Sequence, residues 1–306
     1  MSTKITRQCY RRHQLTQALR VVEEEIELTD PKHVLIQIHA VALNYRDANI
    51  LNGTNPWPVS PSGIPCSDGA GVIIAVGGGV TKFAVGQRVS PIFDQNSITG
   101  QEQSREWLGG EVDGVLATHV IFPEDKIVEI PAHLTWAEAA CLPCAGLTAW
   151  NALAYGGSLM AGKTILIQGQ DSFRVCNSKY PNRGLGTGGV SLMALRLARI
   201  AGCKVIITSS SDAKLETIAK VSGAGTPILT INYSKNVDWD KEAVRMNGGV
   251  GVDIVVENGG TSSIMKSLNA VAKRGIISQV GYLGKQSSQD LEGLLPQLID
   301  KAATFR

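Results

Sequence analysis

The sequence predicts an α/β protein in two domains, a β-rich region over residues 1–133 followed by a parallel, doubly wound sheet over residues 134–306. Three observations predict it. The first stretch is dominated by strand and turn signals. From Leu134 the texture changes to alternating helix and strand, the pattern of a parallel sheet covered on both faces. Between Lys163 and Ser211 the chain reads strand, glycine turn, helix, strand. With 306 residues, 43% of them apolar, it is long enough to bury two cores.

In the first region HVLIQIHAVAL (33–43), GAGVIIAVG (69–77), QRVSPIF (87–93) and GVLATHVIFP (114–123) are β-rich runs divided by Gly, Pro and Asn clusters, as in a compact, partly closed β domain. Ahead of them MSTKITRQCYRRHQLTQALR has no acid before Glu23 and shares that feature with a transit peptide. It lacks an apolar core, however, and VVEEEIEL continues it as an ordinary strand edge, so the cytoplasm is the expected location. Beyond Leu134, EAACLPCAGLTAW is an alanine-rich helical segment. KTILIQG (163–169) suits a buried parallel strand. SLMALRLARIAG places Leu192, Leu195, Ala198 and Ala201 on one helical face and ends at Gly202, and CKVIITSS follows as a strand. Asp212 caps the helix DAKLETIAK. PILTINY, GVDIVVENGG and RGIISQVGYLG complete the alternation.

Gly186-Thr187-Gly188-Gly189-Val190 opens the helix after the first of these parallel strands. A glycine turn there lets backbone N–H groups approach a pyrophosphate at the positive end of the helix, which predicts a dinucleotide ligand. The sixth position of the usual Gly-x-Gly-x-x-Gly pattern is Ser191. Residues 169–185 (GQDSFRVCNSKYPNRGL) part the strand from its turn and read as an atypical insertion. Joining Gln168 directly to Gly186 gives KTILIQ-GTGGVSLMAL, an uninterrupted motif. The added residues are therefore either a looped-out insertion or an error in the gene structure.

A net charge of +2 argues against nucleic acid or an anionic membrane as partner, and no apolar run approaches the roughly 18 residues of a membrane span. Of six cysteines only Cys141 and Cys144 are close; a four-cysteine zinc site needs a second pair, and the pair reads best as two small core residues. The five histidines are scattered. No metal is expected.

The ordered set AVALNYRDANILNG, IPCSDGAGVIIAVGGGVTKFAVGQRV, GGEVDGVLATHVIFPED, AACLPCAGLTAWNAL, GTGGVSLMALRLARIAG, VIITSSSDAKLE, INYSKN and VENGG resembles the medium-chain dehydrogenase/reductase superfamily, on its zinc-independent, quinone-oxidoreductase-like side. The resemblance implies a GroES-like β domain plus a Rossmann domain, a small-molecule substrate and a homodimer formed through the cofactor domain. Zinc-dependent members carry a cysteine at Asn44 and a Gly-His-Glu element at Ser67-Asp68-Gly69, and their structural-zinc cysteines have no counterpart in DQNSITGQEQSREWLGG. A site without zinc has no Lewis acid to polarise an alcohol oxygen; it suits hydride delivery to a carbonyl or activated alkene, aided by hydrogen bonds.

By the same resemblance Asn44 contacts cofactor or substrate and Asp47 orders its loop, while Tyr45 either donates its phenol to a developing oxyanion or simply packs, as Arg46 is expected to. Some quinone reductases have a tyrosine where this chain has Asn49-Ile50. Thr148 matches a position on the nicotinamide side, and Asn258 and Gly281 match positions lining the cofactor groove. At the end of the second parallel strand Ser209 and Ser210, then Lys214, offer hydroxyls and an ammonium to a 2′-phosphate, and Tyr233 matches a phosphate-contacting tyrosine. NADPH is thus expected over NADH, with Gly186, Gly188, Gly189 and Val190 at the pyrophosphate. Trp57 and Trp107 either line an apolar pocket or pack as loop lids. The chain ends at DKAATFR, where relatives continue with a final sheet strand. The function expected is an NADPH-dependent oxidoreductase reducing a carbonyl, quinone or enone. The alternatives are an enoyl reductase of a biosynthetic pathway and a non-catalytic NADPH-binding remnant.

Overall fold

The computed structural model describes residues 3–13, 18–169, 188–220, 227–284 and 286–306. The chain divides into two units, Met1–Ala145 and Gly146–Arg306.

The first unit begins with an antiparallel pair, β1 (Thr3–Arg12) and β2 (Leu19–Leu28), with Cys9 facing Val22. The basic start is therefore a strand, its Cys9 buried. Next come β3 (His33–Ala42), α1 (Tyr45–Leu51), β4 (Asp68–Val76), β5 (Arg88–Pro91), β6 (His119–Pro123), β7 (Ile127–Glu129) and α2 (Trp136–Ala140). The antiparallel sheet runs β6-β3-β4-β5-β7. Val34 and Ile36 of β3, Ile73 of β4, Val89 of β5 and Phe122 of β6 fill its core. Thr135 caps α2 by accepting from the Glu138 N–H, and the helix lays Ala139 and Ala140 against Ala70 of β4. Those small side chains allow close approach to the sheet. The break consequently falls after Ala145, beyond the change of texture at Leu134.

The second unit contains α3 (Leu147–Ala154), β8 (Thr164–Gln168), α4 (Gly189–Ile200), β9 (Lys204–Ser209), α5 (Asp212–Lys220), β10 (Leu229–Asn232), α6 (Trp239–Met246), β11 (Val252–Glu257), α7 (Thr261–Ala270), β12 (Val271–Gln279), α8 (Leu294–Lys301) and β13 (Thr304–Phe305). Its parallel sheet has the order β10-β9-β8-β11-β12-β13. Every residue of β8 is buried, as its continuous apolar run requires of a strand covered on both faces. Ile165 and Ile167 turn to one face and meet Ala194, Leu195 and Ala198 of α4; Leu166 turns to the other with Ile264 and Leu268 of α7. The helix α4 ends as expected, with Gly202 in the left-handed region at φ 76°.

At the C-terminus Thr304 and Phe305 form a short sixth strand opposite Ile276 and Ile277, and Arg306 N–H donates to the Ile277 carbonyl at 3.0 Å. The proposed insertion, apart from Gly169, lies outside the described residues, as do Gly186 and Thr187.

Candidate active site

In the C-terminal unit the connections leave β8 toward β9 on one side and reach β11 on the other. The carboxyl ends of β8 and β11 therefore flank a topological switch point, where open α/β sheets receive ligands. Gln168 ends β8 and Glu257 ends β11, and both side chains are buried. The Gln168 carbonyl accepts from Ser191 Oγ at 2.8 Å and Asn258 Nδ2 at 2.8 Å. The first turn of α4 thus lies directly against the end of β8. The hydroxyl at the sixth motif position, where glycine is usual, is used for this tie.

Gly188 precedes α4 with no side chain among the described residues capping the helix, so the start of α4 suits a phosphate. Gly189 is exposed there, and Val190 packs on the core. Thr148 is half-buried on α3. The Asn258 amide is spent on Gln168 and points into the framework. Gly281 sits so close that an added Cβ would stand 2.8 Å from the Asn258 carbonyl oxygen, which only glycine tolerates. These features together fit a dinucleotide laid across the switch point.

At the end of β9, Ser209 is buried, and its carbonyl accepts from the Tyr233 N–H at 3.1 Å, which joins the loops after β9 and β10. Ser210, Lys214 and Tyr233 are half-buried nearby in the chain. Asp212 is held by Lys235 Nζ and by Asn232 Nδ2 at 2.6 Å. Lys235 first and Asn232 second hold its carboxyl below the usual range. The one acid in this region is already engaged by its neighbours.

In the N-terminal unit Asn44 precedes α1 and its N–H donates to Asp47 Oδ2 at 2.8 Å. Burial pushes the Asp47 carboxyl upward against the opposing pull of that N–H, of Arg46 and of Arg12. Asn44 Nδ2, Arg46 Nε and Asp47 Oδ1 are buried without a hydrogen-bond partner among the described residues. Half-buried Tyr45 makes no side-chain hydrogen bond to another described residue. Arg46 lies over the Phe93 ring at 4.8 Å. Trp57 and Trp107 pack edge to face at 5.1 Å, with the Arg105 guanidinium 4.3 Å from Trp107, and Trp107 Nε1 donates to Asp94 at 3.1 Å. The two tryptophans therefore hold their loops to each other.

Sequence reasoning did not single out Asp68, although a carboxylate opening the apolar strand DGAGVIIAV was a visible signal. Asp68 is fully buried and accepts from Ser67 Oγ at 2.7 Å and the Cys144 N–H at 3.2 Å. Burial raises its pKa to about 6, with those donors and the neighbouring Asn44 carboxamide opposing. The residue ahead of this pair, Cys66, adopts φ 67° and is enclosed so closely that a Cβ on Gly109 would lie 2.7 Å from its nitrogen. Among the described residues no three His, Cys, Asp or Glu side chains are grouped to hold a metal ion. Both Asp68 oxygens are already engaged, and Asn44 and Ser67 are poor zinc donors. The residues at this position do not fit zinc. No described helix is long and apolar enough to cross a membrane.

Residues 30–132 match the alcohol dehydrogenase GroES-like domain, and residues 189–305 match the zinc-binding dehydrogenase family. The chain is similar to a zinc-type alcohol dehydrogenase-like protein of Schizosaccharomyces pombe, 36% identical over 284 residues, spanning 90% of this chain and 76% of that protein. Among solved structures it is similar to a putative alcohol dehydrogenase of Sinorhizobium meliloti (32% identity, TM-score 0.82, 100% of this chain and 84% of that one). It is also similar to a quinone oxidoreductase of Pseudomonas syringae (26% identity, TM-score 0.73, 98% and 80%). Membership implies a nicotinamide dinucleotide, NAD(P)H, for which the switch-point crevice has the right construction. The chain belongs to the medium-chain dehydrogenase/reductase superfamily and is an oxidoreductase of that type.

Proposed function

We propose that this chain is an NADPH-dependent, zinc-independent reductase that delivers hydride to a carbonyl, quinone or enone. The observation that carries the reading is the buried Asn44 Nδ2, an amide donor without a hydrogen-bond partner among the described residues, where no three His, Cys, Asp or Glu side chains are grouped to hold a metal. Bound NADPH supplies the hydride. Asn44 Nδ2 and the Tyr45 hydroxyl donate to the acceptor oxygen, drawing off the charge that develops there as hydride arrives. Asp47 holds the loop by accepting from the Asn44 N–H. The phosphate preference is supported by Asp212, whose carboxylate is neutralised by Lys235 and leaves the β9 end presenting hydroxyls.

A panel of quinones, enones and aldehydes, followed by loss of reduced-nicotinamide absorbance with NADPH and with NADH, tests the proposal. Turnover that prefers NADPH and survives chelation supports it. Activity abolished by chelator and restored by zinc refutes it. Saturable NADPH binding without turnover on any acceptor points to the non-catalytic NADPH-binding alternative.

A further inference from the structure

Glu257 ends a strand of apolar residues and has no exposed surface, and no cation pairs with it among the described residues. Its carboxylate is surrounded by donors. Oε1 accepts from Ser263 Oγ at 2.6 Å and from the N–H groups of Gly259 at 2.7 Å and Gly260 at 3.1 Å. Oε2 accepts from Gln168 Nε2 at 2.6 Å and from Ser267 Oγ. A protonated carboxyl would need an acceptor for its own O–H, and among these neighbours only the Ser263 and Ser267 hydroxyls could supply one, by giving up the bonds they now donate. Fixed in this way, Gln168 turns its Oε1 to the N–H groups of Asn258 at 3.0 Å and Gly259 at 3.1 Å. The same Asn258 reaches back to the Gln168 carbonyl, which also holds Ser191 at the start of α4. One buried carboxylate thus ties the end of β8, the first turn of α4 and the loop after β11.

We propose that Glu257 is a positioning residue for the cofactor, clamping through Gln168 the two walls of the crevice between β8 and β11 that receives the dinucleotide. The inference rests on the NADPH reading above. It separates two halves of the ligand. The adenosine 2′-phosphate half is read at the end of β9, on the far side of β8 from the clamp. The pyrophosphate and nicotinamide half meets the walls that the clamp holds.

Glu257→Gln keeps the shape but turns an N–H₂ toward a ring of donors, leaving several without an acceptor. The test compares wild type, Glu257→Gln and the exchanged pair Gln168→Glu/Glu257→Gln for binding of NADPH and of adenosine 2′-monophosphate by fluorescence titration, with circular dichroism as the check of folding. The expected result is about tenfold weaker NADPH binding in Glu257→Gln, unchanged monophosphate binding, and recovery of most of the NADPH affinity in the exchanged pair. If Glu257→Gln does not fold, Ser263→Ala removes a single donor and is expected to weaken NADPH about threefold with the monophosphate unaffected. Unchanged NADPH binding in a folded variant overturns the proposal, as does equal weakening of both ligands. Wild-type protein that binds neither ligand refutes the NADPH reading itself, and the clamp falls with it.

Discussion

Replacing Asp68 with asparagine is expected to stabilise the protein at pH 8 and not at pH 4. Among the described residues Asp68 is buried with two hydrogen-bond donors and no cation in contact. Its ordinary value of 3.8 rises to about 6 in the folded protein. Because the folded state holds the proton more tightly than the unfolded one, this group favours folding most below about pH 4, and that contribution is lost as pH rises through about 6. The gap between the two values, at 1.36 kcal/mol per pH unit, makes ionised Asp68 cost the folded state about 3 kcal/mol at pH 8. Asparagine removes the charge and still serves both contacts: its oxygen accepts from the Cys144 N–H while its nitrogen donates to a rotated Ser67 hydroxyl. The weaker neutral hydrogen bonds lose about 1 kcal/mol. The net gain is about 2 kcal/mol at pH 8, or about 4–8 °C in melting temperature for a unit of this size, and it vanishes or reverses slightly at pH 4. Asp47, which burial also pushes upward, is present in both proteins, so the difference between the two curves reports Asp68 together with its repulsion by Asp47. Thermal melts of both proteins from pH 4 to pH 8 make the measurement. Parallel curves, or a variant equally destabilised at both ends, would refute an ionised carboxylate buried at a cost.

Asn44→Ala removes the amide donor proposed for the substrate oxygen and is expected to lower kcat about a hundredfold, with stability moved by about 1 kcal/mol through the lost support of Asp68. Steady-state kinetics beside a melt check it. Lys235→Ala frees Asp212 to oppose a 2′-phosphate and should raise KM for NADPH about two- to fivefold while leaving NADH unaffected; equal effects on both cofactors would count against the β9-end reading. Gly281→Ala forces a methyl against the Asn258 carbonyl, with an expected loss of about 1–3 kcal/mol in denaturant unfolding and weaker NADPH binding.

The parallel sheet was legible because a strand buried on both faces needs an apolar centre, and TILIQ, KVIITS and VDIVVE each carry three consecutive aliphatic residues there. The helix between the first two was legible from its apolar face and closing glycine. Less could be read where burial and partners decide the outcome. The change of texture at Leu134 marks where helices begin, but α2 belongs with the first unit because its alanines fit the small residues of β4. The two-residue strand β13 carries no periodicity, and its existence depends on the edge that β12 offers. The Asn-Tyr-Arg-Asp turn could be located, yet nothing local revealed that Asn44 Nδ2 and Asp47 Oδ1 would be left buried and without hydrogen-bond partners among the described residues. The side-chain donors that satisfy Glu257 come from Gln168, 89 residues away, and from α7, so the carboxylate could be seen in the sequence but its purpose could not.

Asp68 and Glu257 are the same chemical problem with two solutions. Each is a carboxylate without exposure and without an ion pair among the described residues, and burial raises the pKa of both. Moving such a charge out of water is costly unless fixed dipoles replace the lost solvation. Glu257 has five donors, three from side chains and two from backbone N–H groups, and of these only the Ser263 and Ser267 hydroxyls could turn to accept a bond in return. Its charge is part of a frame, and changing it disturbs every element that the frame joins. Asp68 has two donors, one of them a hydroxyl able to rotate and accept, so its protonated form loses little. The number of donors, more than depth of burial, therefore separates a carboxylate that fixes geometry from one whose proton can come and go near neutral pH.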